Sequence, residues 1–180
     1  MAASLVNRMI RAARLDPTLY EEIEADPGTL GQAAAVIVIV SIASGIGSLA
    51  YAGISGLLLG TIFALLGWVV WAVIIWAVGT KVLPQEQTRA DIPEVLRTLA
   101  FAASPGVFHV LRIIPGIGGL ISLAVMVWTV IAMVIAVRQV LDYTSTGRAV
   151  GVVLLGFVAY LVLNALIALP MMAGGPPATA

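Results

Sequence analysis

Very few side chains in this sequence could carry catalysis. Residues 53–56 read Gly-Ile-Ser-Gly, and His109 is the only histidine in the chain. A histidine within hydrogen-bond reach of a serine hydroxyl can take its proton and make it a nucleophile for acyl transfer. Ser55 and His109 are therefore the one candidate catalytic pair, if the fold brings them together.

Such a pair would suit an intramembrane serine protease of the rhomboid type, whose serine lies in a Gly-x-Ser-Gly motif. A four-residue match arises easily in a chain with 18 glycines. Ser55 is expected in a short loop rather than inside a span, and the spans counted below are one too few for the rhomboid core. We keep this as a remote alternative and predict that the protein has no catalytic residues and is not an enzyme.

Metal and cofactor chemistry have less support still. Zinc sites draw mainly on histidine and cysteine, and the chain has one histidine and no cysteine. It also lacks a glycine-rich phosphate loop. The net charge is zero, whereas nucleic-acid binding relies on an excess of Lys and Arg. We predict no metal, no cofactor and no nucleic-acid partner.

The composition places most of the chain in lipid. Of 180 residues, 61% are hydrophobic and 10% are charged, and the mean hydropathy is +1.10. A soluble domain of this size could not bury so much apolar surface. Runs long enough to cross a bilayer, about 20 residues each, lie at residues 30–51, 57–80, 96–114, 117–137 and 149–169.

The predicted fold is an all-α integral membrane protein, a five-transmembrane-helix bundle with a short N-terminal head. The head covers residues 1–28 and the membrane domain residues 29–170. Residues 171–180 form an uncharged tail rich in glycine and proline, which we expect to be flexible.

The basic residues predict the orientation. With five spans and the N-terminus inside, eight of the nine Lys and Arg residues lie inside, a bias typical of inner loops. The C-terminus is then outside, and only Arg112 lies near the outer surface. In the alternative topology residues 96–114 form a re-entrant hairpin, and the bias falls to seven against two. The eight inner residues are Arg8, Arg11, Arg14, Lys81, Arg89, Arg97, Arg138 and Arg148.

The third span contains helix breakers. Pro105 cannot donate a backbone hydrogen bond and its ring clashes with the carbonyl of Phe101. We therefore predict that this helix is interrupted within two residues of Pro105, at Ser104-Pro105-Gly106. Ser104 is expected to bond an exposed carbonyl. Further on, Pro115-Gly116-Ile117-Gly118 predicts a tight outer turn.

Three polar residues are predicted to lie within the membrane. Arg112 stands one turn before the outer turn, from which its side chain can reach the headgroups. His109 is expected to be a packed core residue. Asn164 is the only amide in the last span, and one interhelical hydrogen bond would account for it.

The head consists of two predicted helices. Residues 4–15 place apolar side chains on one face and Arg8, Arg11 and Arg14 on the other, which suits a helix lying on an anionic inner leaflet. The alternative is an orientation signal that packs against nothing. Asp16-Pro17 then predicts a short acidic helix from Pro17 to Ala25, because aspartate caps helices and proline is favoured at their first position.

Glycines at four-residue spacing predict close contacts between helices. Gly56 and Gly60 form one such pair and Gly147 and Gly151 another. They are candidates for self-association or for contacts with other membrane proteins.

Three longer stretches resemble a known family. They are LRTLAFAASPGVFHVL, IPGIGGLISLAVMVW and AVRQVLDYTSTGRAVGVVLLGF. Together they resemble the bacterial branch of the Yip family, the Ypt/Rab-GTPase-interacting membrane proteins, most strongly over residues 93–157. The resemblance implies five transmembrane helices, a cytoplasmic N-terminus and location in a bacterial inner membrane.

The resemblance also bears on partners. Eukaryotic members act in vesicle trafficking and bind prenylated Rab-type GTPases. This chain lacks their long N-terminal region and their Asp-Leu-Tyr-Gly-Pro motif, so we do not expect GTPase binding here.

Two function classes follow. The first is a non-enzymatic scaffold or adaptor that organises the membrane. The second is a small transporter or channel component that uses the broken third span, since discontinuous helices often mark such sites. We favour the scaffold, because too few polar groups lie at mid-membrane. Its partner is expected on the inner face, with Glu21, Glu22, Arg138, Asp142, Tyr143 and Arg148 as candidate contacts.

Overall fold

The structure is a computed structural model that describes residues 4–47, 49–114 and 116–173. For residues 49–56, 168 and 170–173 the backbone alone is described. The described part is helical and contains seven α-helices. They are α1 (Leu5–Ala13), α2 (Pro17–Ala25), α3 (Leu30–Ile46), α4 (Leu49–Ala77), α5 (Ile92–Ala102), α6 (Gly118–Val140) and α7 (Thr146–Ala173).

Four helices of the described part are long and apolar enough to cross a membrane. They confirm the all-α, multi-pass prediction. The predicted third span is not among them, so the number of five crossings stays a prediction. The four cover Pro27–Ile46, Leu57–Val82, Gly118–Val140 and Thr146–Ile167.

The boundary between the first two spans differs from the prediction. α3 ends at Ile46 rather than at residue 51, and α4 begins at Leu49. Ser55 therefore lies in the second turn of α4 and not in a loop. The residues after the turn favour helix, since alanine and leucine are frequent there, and no charge or proline marks the boundary.

The predicted interruption of the third span is confirmed. α5 ends at Ala102, and a 3-10 helix runs over Ser104–Ile113, with Pro105 at its second position. We call Ser104–Ile113 the 3-10 segment. Ten residues is long for this conformation, which is usually limited to three or four. Ser104 does not bond a carbonyl as predicted, because its buried hydroxyl has no hydrogen-bond partner in the described part of the chain.

The broken element runs alongside α3 in the same direction. Arg97 in α5 bonds the carbonyl of Ile23, just before α3 begins. Further along, Gly106 lies against Val40, and the carbonyl of His109 lies against Gly47, at the end of α3. We call the end that carries the head the head end, and the end near Gly47 and Gly118 the far end. The course of α5 and the 3-10 segment therefore leads from the head end to the far end.

The head packs into the bundle. Leu19, Tyr20 and Ile23 of α2 are fully buried in the same core as α5 and α6. Helix α1 packs against α2, α5 and the 3-10 segment. The alternative that α1 packs against nothing is therefore wrong. Its placement on an anionic inner leaflet stays a prediction.

Arg8 shows why the amphipathic pattern misled. Only 6% of its surface is exposed, and it donates to Gln32 and Asp26, each at 3.1 Å. The opposite apolar side of α1 is open, since Val6 and Ile10 are 64% and 47% exposed. Helix α1 therefore presents apolar side chains both to the protein and away from it.

We predict that Gly47→Ala destabilises the fold by about 1–3 kcal/mol, the usual cost of overpacking. A Cβ atom at Gly47 would overlap the carbonyl oxygen of His109, so α3 and the 3-10 segment would have to separate. The measurement is the unfolding midpoint in detergent. Gly31→Ala is the matched control in the same helix, because a Cβ there meets nothing within 4 Å. Equal midpoints for the two variants would contradict the proposed close approach.

Candidate functional site

The histidine of the remote protease alternative has a different serine as its neighbour. His109 Nδ1 lies 3.4 Å from the hydroxyl oxygen of Ser44. The side chain of Ser55 lies outside the described residues. The chain has no acidic residue between 95 and 141 or between 27 and 85, so neither segment supplies a carboxylate to orient this imidazole. The absence of enzymatic activity stays a prediction.

An apolar cavity of about 770 Å³ lies between the helices. Its wall is built by α3, α4, α6, α7 and the break in the third span, and its residues are almost all hydrophobic or aromatic. Its size falls within the range of about 300–1,000 Å³ that is typical of small-molecule sites. The lining includes Val40, Ser41, Ala64, Trp71, Ala103, His109, Met126, Thr129, Val130, Met133, Leu154 and Phe157.

A smaller cavity of about 300 Å³ adjoins the large one. The two share Val40, Ser41 and Ala64. The small cavity is more polar, because Ser44 and Arg112 also line it. Arg112 thus lines the cavity that adjoins the large one on its far-end side.

One donor in the large cavity lacks an acceptor. The indole Nε1 of Trp71 is buried and has no hydrogen-bond partner among the described residues. The ring packs edge-on against Tyr160, with 5.9 Å between the ring centroids. The polar side chains of the wall are the hydroxyl-bearing Ser41, Thr129 and Tyr160, the indoles of Trp68 and Trp71 and the imidazole of His109.

The head is held to the bundle by donors that reach backbone carbonyls. Arg97, 4% exposed, donates to the carbonyl of Ile23 at 3.1 Å and to that of Glu24. These carbonyls lie in the last turn of α2, where regular intrahelical bonding ends, and that of Ile23 also accepts from the backbone N–H of Asp26. Trp128 donates to the carbonyl of Ala13 at 2.8 Å, at the end of α1. Both helix ends of the head are thus capped by side chains from the membrane domain.

Ion pairs in the described part also concentrate in the head. Arg8 pairs with Asp26, and Arg11 pairs with both Asp16 and Glu22. Arg11 and Glu22 make a two-bond contact at 2.7 and 2.8 Å. Hydrogen bonding to Arg11 holds the pKa of the Glu22 carboxyl below its usual range. Glu22, a candidate partner contact, is therefore already occupied by Arg11.

Three other candidate partner contacts bond backbone carbonyls in or beside two head-end loops, residues 83–91 and 141–145. Tyr143 is 4% exposed, so a partner could not reach it. Its single hydroxyl proton is shared between the carbonyls of Leu83 and Gly79, at 2.7 and 3.0 Å. Arg138 bonds the carbonyls of Tyr143 and Thr144. Arg148 bonds the carbonyl of Pro84.

Every predicted contact except Tyr143 is exposed, Asp142 and Glu21 among them. Asp142 is exposed and has a left-handed backbone, with φ of 52°. Glu21 is exposed and accepts a hydrogen bond of 2.7 Å from Gln139. The structure thus brings the carboxylates of the head and of this loop to one face of the molecule.

Acidic residues surround Glu24 on this face. Its pKa is raised to about 7, first by burial and then by the negative charges of Asp142, Glu94 and Glu21, while Arg97 opposes the shift. At neutral pH the group is therefore divided between its charged and neutral forms.

The remaining predicted residues have local roles. Asn164 donates to the carbonyl of Tyr160 in its own helix at 2.7 Å, so the expected interhelical bond is not formed. Gly116 has a φ of 84°, and Gly118 begins α6. Pro115 lies outside the described residues.

The predicted glycine pairs differ in their surroundings. Gly60 is exposed and has open space where a Cβ would lie. Gly151 faces Leu83 of the same chain at 3.8 Å. Gly147 is exposed on α7. The side of Gly56 lies outside the described side chains, so self-association through these glycines stays a prediction.

Sequence patterns missed the role of the tryptophans. Trp68 donates to the carbonyl of Leu96, Trp76 to that of Ala90 and Trp128 to that of Ala13. Tryptophan combines a large apolar ring with one donor, and here that donor links elements far apart in sequence. A tryptophan in mid-span was the available signal, but its acceptor could not be read from the sequence.

The comparison with protein families decides the assignment. The model of the Yip1 domain matches residues 15–166. The chain belongs to the Yip1 family. The matched range of this Yip1-family protein begins at the end of α1 and includes α2, the broken third span and most of α7. No curated protein and no solved structure matches the chain significantly.

We predict that docking of the head weakens as pH rises from about 4.5 to about 7. The folded protein holds the Glu24 proton more tightly than an unfolded chain, so this stabilisation is complete below about pH 4.5 and is lost as pH rises through about 7. Glu24→Gln should remove that part of the pH dependence of the unfolding midpoint. The control is Glu86→Gln in an exposed loop. A wild-type midpoint that falls no more steeply than that of Glu24→Gln would contradict the prediction.

Proposed function

We propose that this Yip1-family protein is a non-catalytic membrane-organising protein, a scaffold or adaptor that recognises its partner at the head end. The observation that carries the proposal is the attachment of the head. Arg97, Trp128 and Gln139 of the membrane domain each bond the head directly. A head held in this way presents its exposed charges in a fixed arrangement.

The distribution of charge supports the choice of face. All nine acidic residues lie in residues 16–26, 86–94 or at position 142. These three segments meet in the structure, because Gln139 bonds Glu21 and Gln87 bonds the carbonyl of Asp142. The far end offers Arg112 alone. Charged recognition of a protein or headgroup therefore belongs to the head end.

We further propose that the head end faces the cytoplasm of a bacterium and that the chain crosses its inner membrane five times. The third span runs parallel to α3, since Gly106 lies against Val40 and, further along both elements, His109 lies against Gly47. This parallel course supports a full crossing. The excess of Lys and Arg at the head end supports the orientation. The C-terminus is then outside.

Single-cysteine labelling should test this topology without background, because the chain has no cysteine. We expect a membrane-impermeant maleimide to label Gly119→Cys in intact cells. Ser145→Cys should react only after the cells are permeabilised. A re-entrant third span would reverse both results, because it moves residue 119 inside and residue 145 outside.

Photo-crosslinking should locate the partner surface. We expect probes at the exposed head-end positions Glu86 and Ser145 to capture a specific partner. Probes at the exposed far-end positions Ile113 and Gly119 are the matched controls. The head-end captures should decrease in Arg97→Met, which releases the head, while the far-end background stays constant. Capture only from the far end would refute the proposal.

A further inference from the structure

The two adjoining cavities match the two parts of a phospholipid, an apolar acyl chain and a charged phosphate. The large cavity is apolar, and the small one ends at a cation, Arg112. The far end is also where headgroups lie if the helices span a bilayer. We propose that one phospholipid of the far-end leaflet binds here, with an acyl chain in the large cavity and its phosphate at Arg112.

The charge of Arg112 supports an anionic group as its partner. The chain has no Asp or Glu between residues 95 and 141 or between 27 and 85, the segments that build the far end. In the described part, the ion pairs lie in the head. A guanidinium binds phosphate through charge-assisted hydrogen bonds, often with two parallel donors. A lipid phosphate supplies the anion that this end of the protein lacks.

The position of Arg112 is fixed by close packing. Its Cβ would lie 3.1 Å from a Cβ at Gly47, and its carbonyl oxygen 3.3 Å from one at Gly118. The guanidinium therefore extends from a backbone held between α3 and α6. This is why Arg112 contributes to a lined site and is not simply a mobile side chain at the membrane surface.

The large cavity suits an acyl chain better than water. Water needs two to four polar partners to occupy a cavity, and this wall supplies few. A void in lipid also forfeits the dispersion contacts of the side chains around it. An acyl chain restores those contacts, and it requires no hydrogen bond along its length.

The cavity has an access route from the membrane. Met126 and Val130 of α6 line it and are 54% and 45% exposed. Leu154 and Phe157 of α7 line it as well and are also exposed. A chain can therefore enter sideways between α6 and α7, and the phosphate can stay at the level of the far-end surface.

The test uses the full chain in nanodiscs with two photoreactive lipids. One is phosphatidylglycerol with a diazirine midway along an acyl chain, and the other is the diacylglycerol with the same chains. We expect the phospholipid to label cavity residues such as Trp71 and Met133 about tenfold more than the diacylglycerol does, the factor expected for a hydrogen bond to a charged group. Arg112→Gln should make the two probes label equally. Arg148→Gln, an arginine at the head end, is the control and should behave as wild type.

Two cavity-filling variants examine the acyl chain separately. Ala64→Phe and Thr129→Phe fill the cavity from opposite walls, so that one can serve if the other misfolds. Each should abolish labelling of the cavity residues. Val127→Phe is the matched control, because Val127 is exposed on α6 and does not line the cavity.

Two results would overturn the proposal. Labelling spread evenly over outward-facing residues such as Leu58 and Leu166, and unchanged in the filling variants, would show only the surrounding lipid. Equal labelling of wild type by both probes would show that Arg112 does not select a phosphate. Neither result bears on the head-end partner, because the crosslinking probes for that proposal lie at the opposite end.

Discussion

Backbone groups in a bilayer must find hydrogen-bond partners within the protein, and the residues after Ala102 are where this chain meets that constraint. Pro105 removes a donor from the helix, and the chain continues as a 3-10 helix over Ser104–Ile113. An irregular element of this kind is tolerated in lipid only where protein surrounds it. The structure provides that surround at the break itself, since α3, α6 and α1 pack against the 3-10 segment and Ser104, Pro105 and Gly106 are buried. Further along, Phe108, Leu111 and Ile113 stay exposed. The position of the head follows from the same need.

The contacts that attach the head therefore also stabilise the fold. Trp128 stacks on Phe108 of the 3-10 segment, with 5.3 Å between the ring centroids, and also caps α1. Arg97 caps α2 from the α-helical half of the same broken element. The third span therefore holds the head through Arg97 in α5, and α1 of the head packs against the 3-10 segment that follows. The two ends of the molecule differ in chemistry as a result, with fixed charges at one and a lined cavity ending in a lone cation at the other.

Local chemistry made part of this structure predictable. The Asp16-Pro17 start of α2 and the break beside Pro105 follow from capping and from the missing proline donor, which act within a few residues. The end of α3 at Ile46 was not predictable, because it depends on Gly47 meeting His109 about sixty residues away. The same holds for Arg97 and Tyr143. Their carbonyl acceptors lie far along the chain, so the pattern of charges suggested surface contacts where the structure has buried ones.

The central claim is that the head shields the 3-10 segment, and amide hydrogen exchange in nanodiscs tests it most directly. The measurement compares peptides covering residues 104–113 in wild type and in Arg97→Met, with α7 peptides as the internal reference. The account predicts slow exchange in wild type, and faster exchange over residues 104–113 in the variant while α7 stays unchanged. Exchange over residues 104–113 that is already fast in wild type, or that does not change when the head is released, would contradict it.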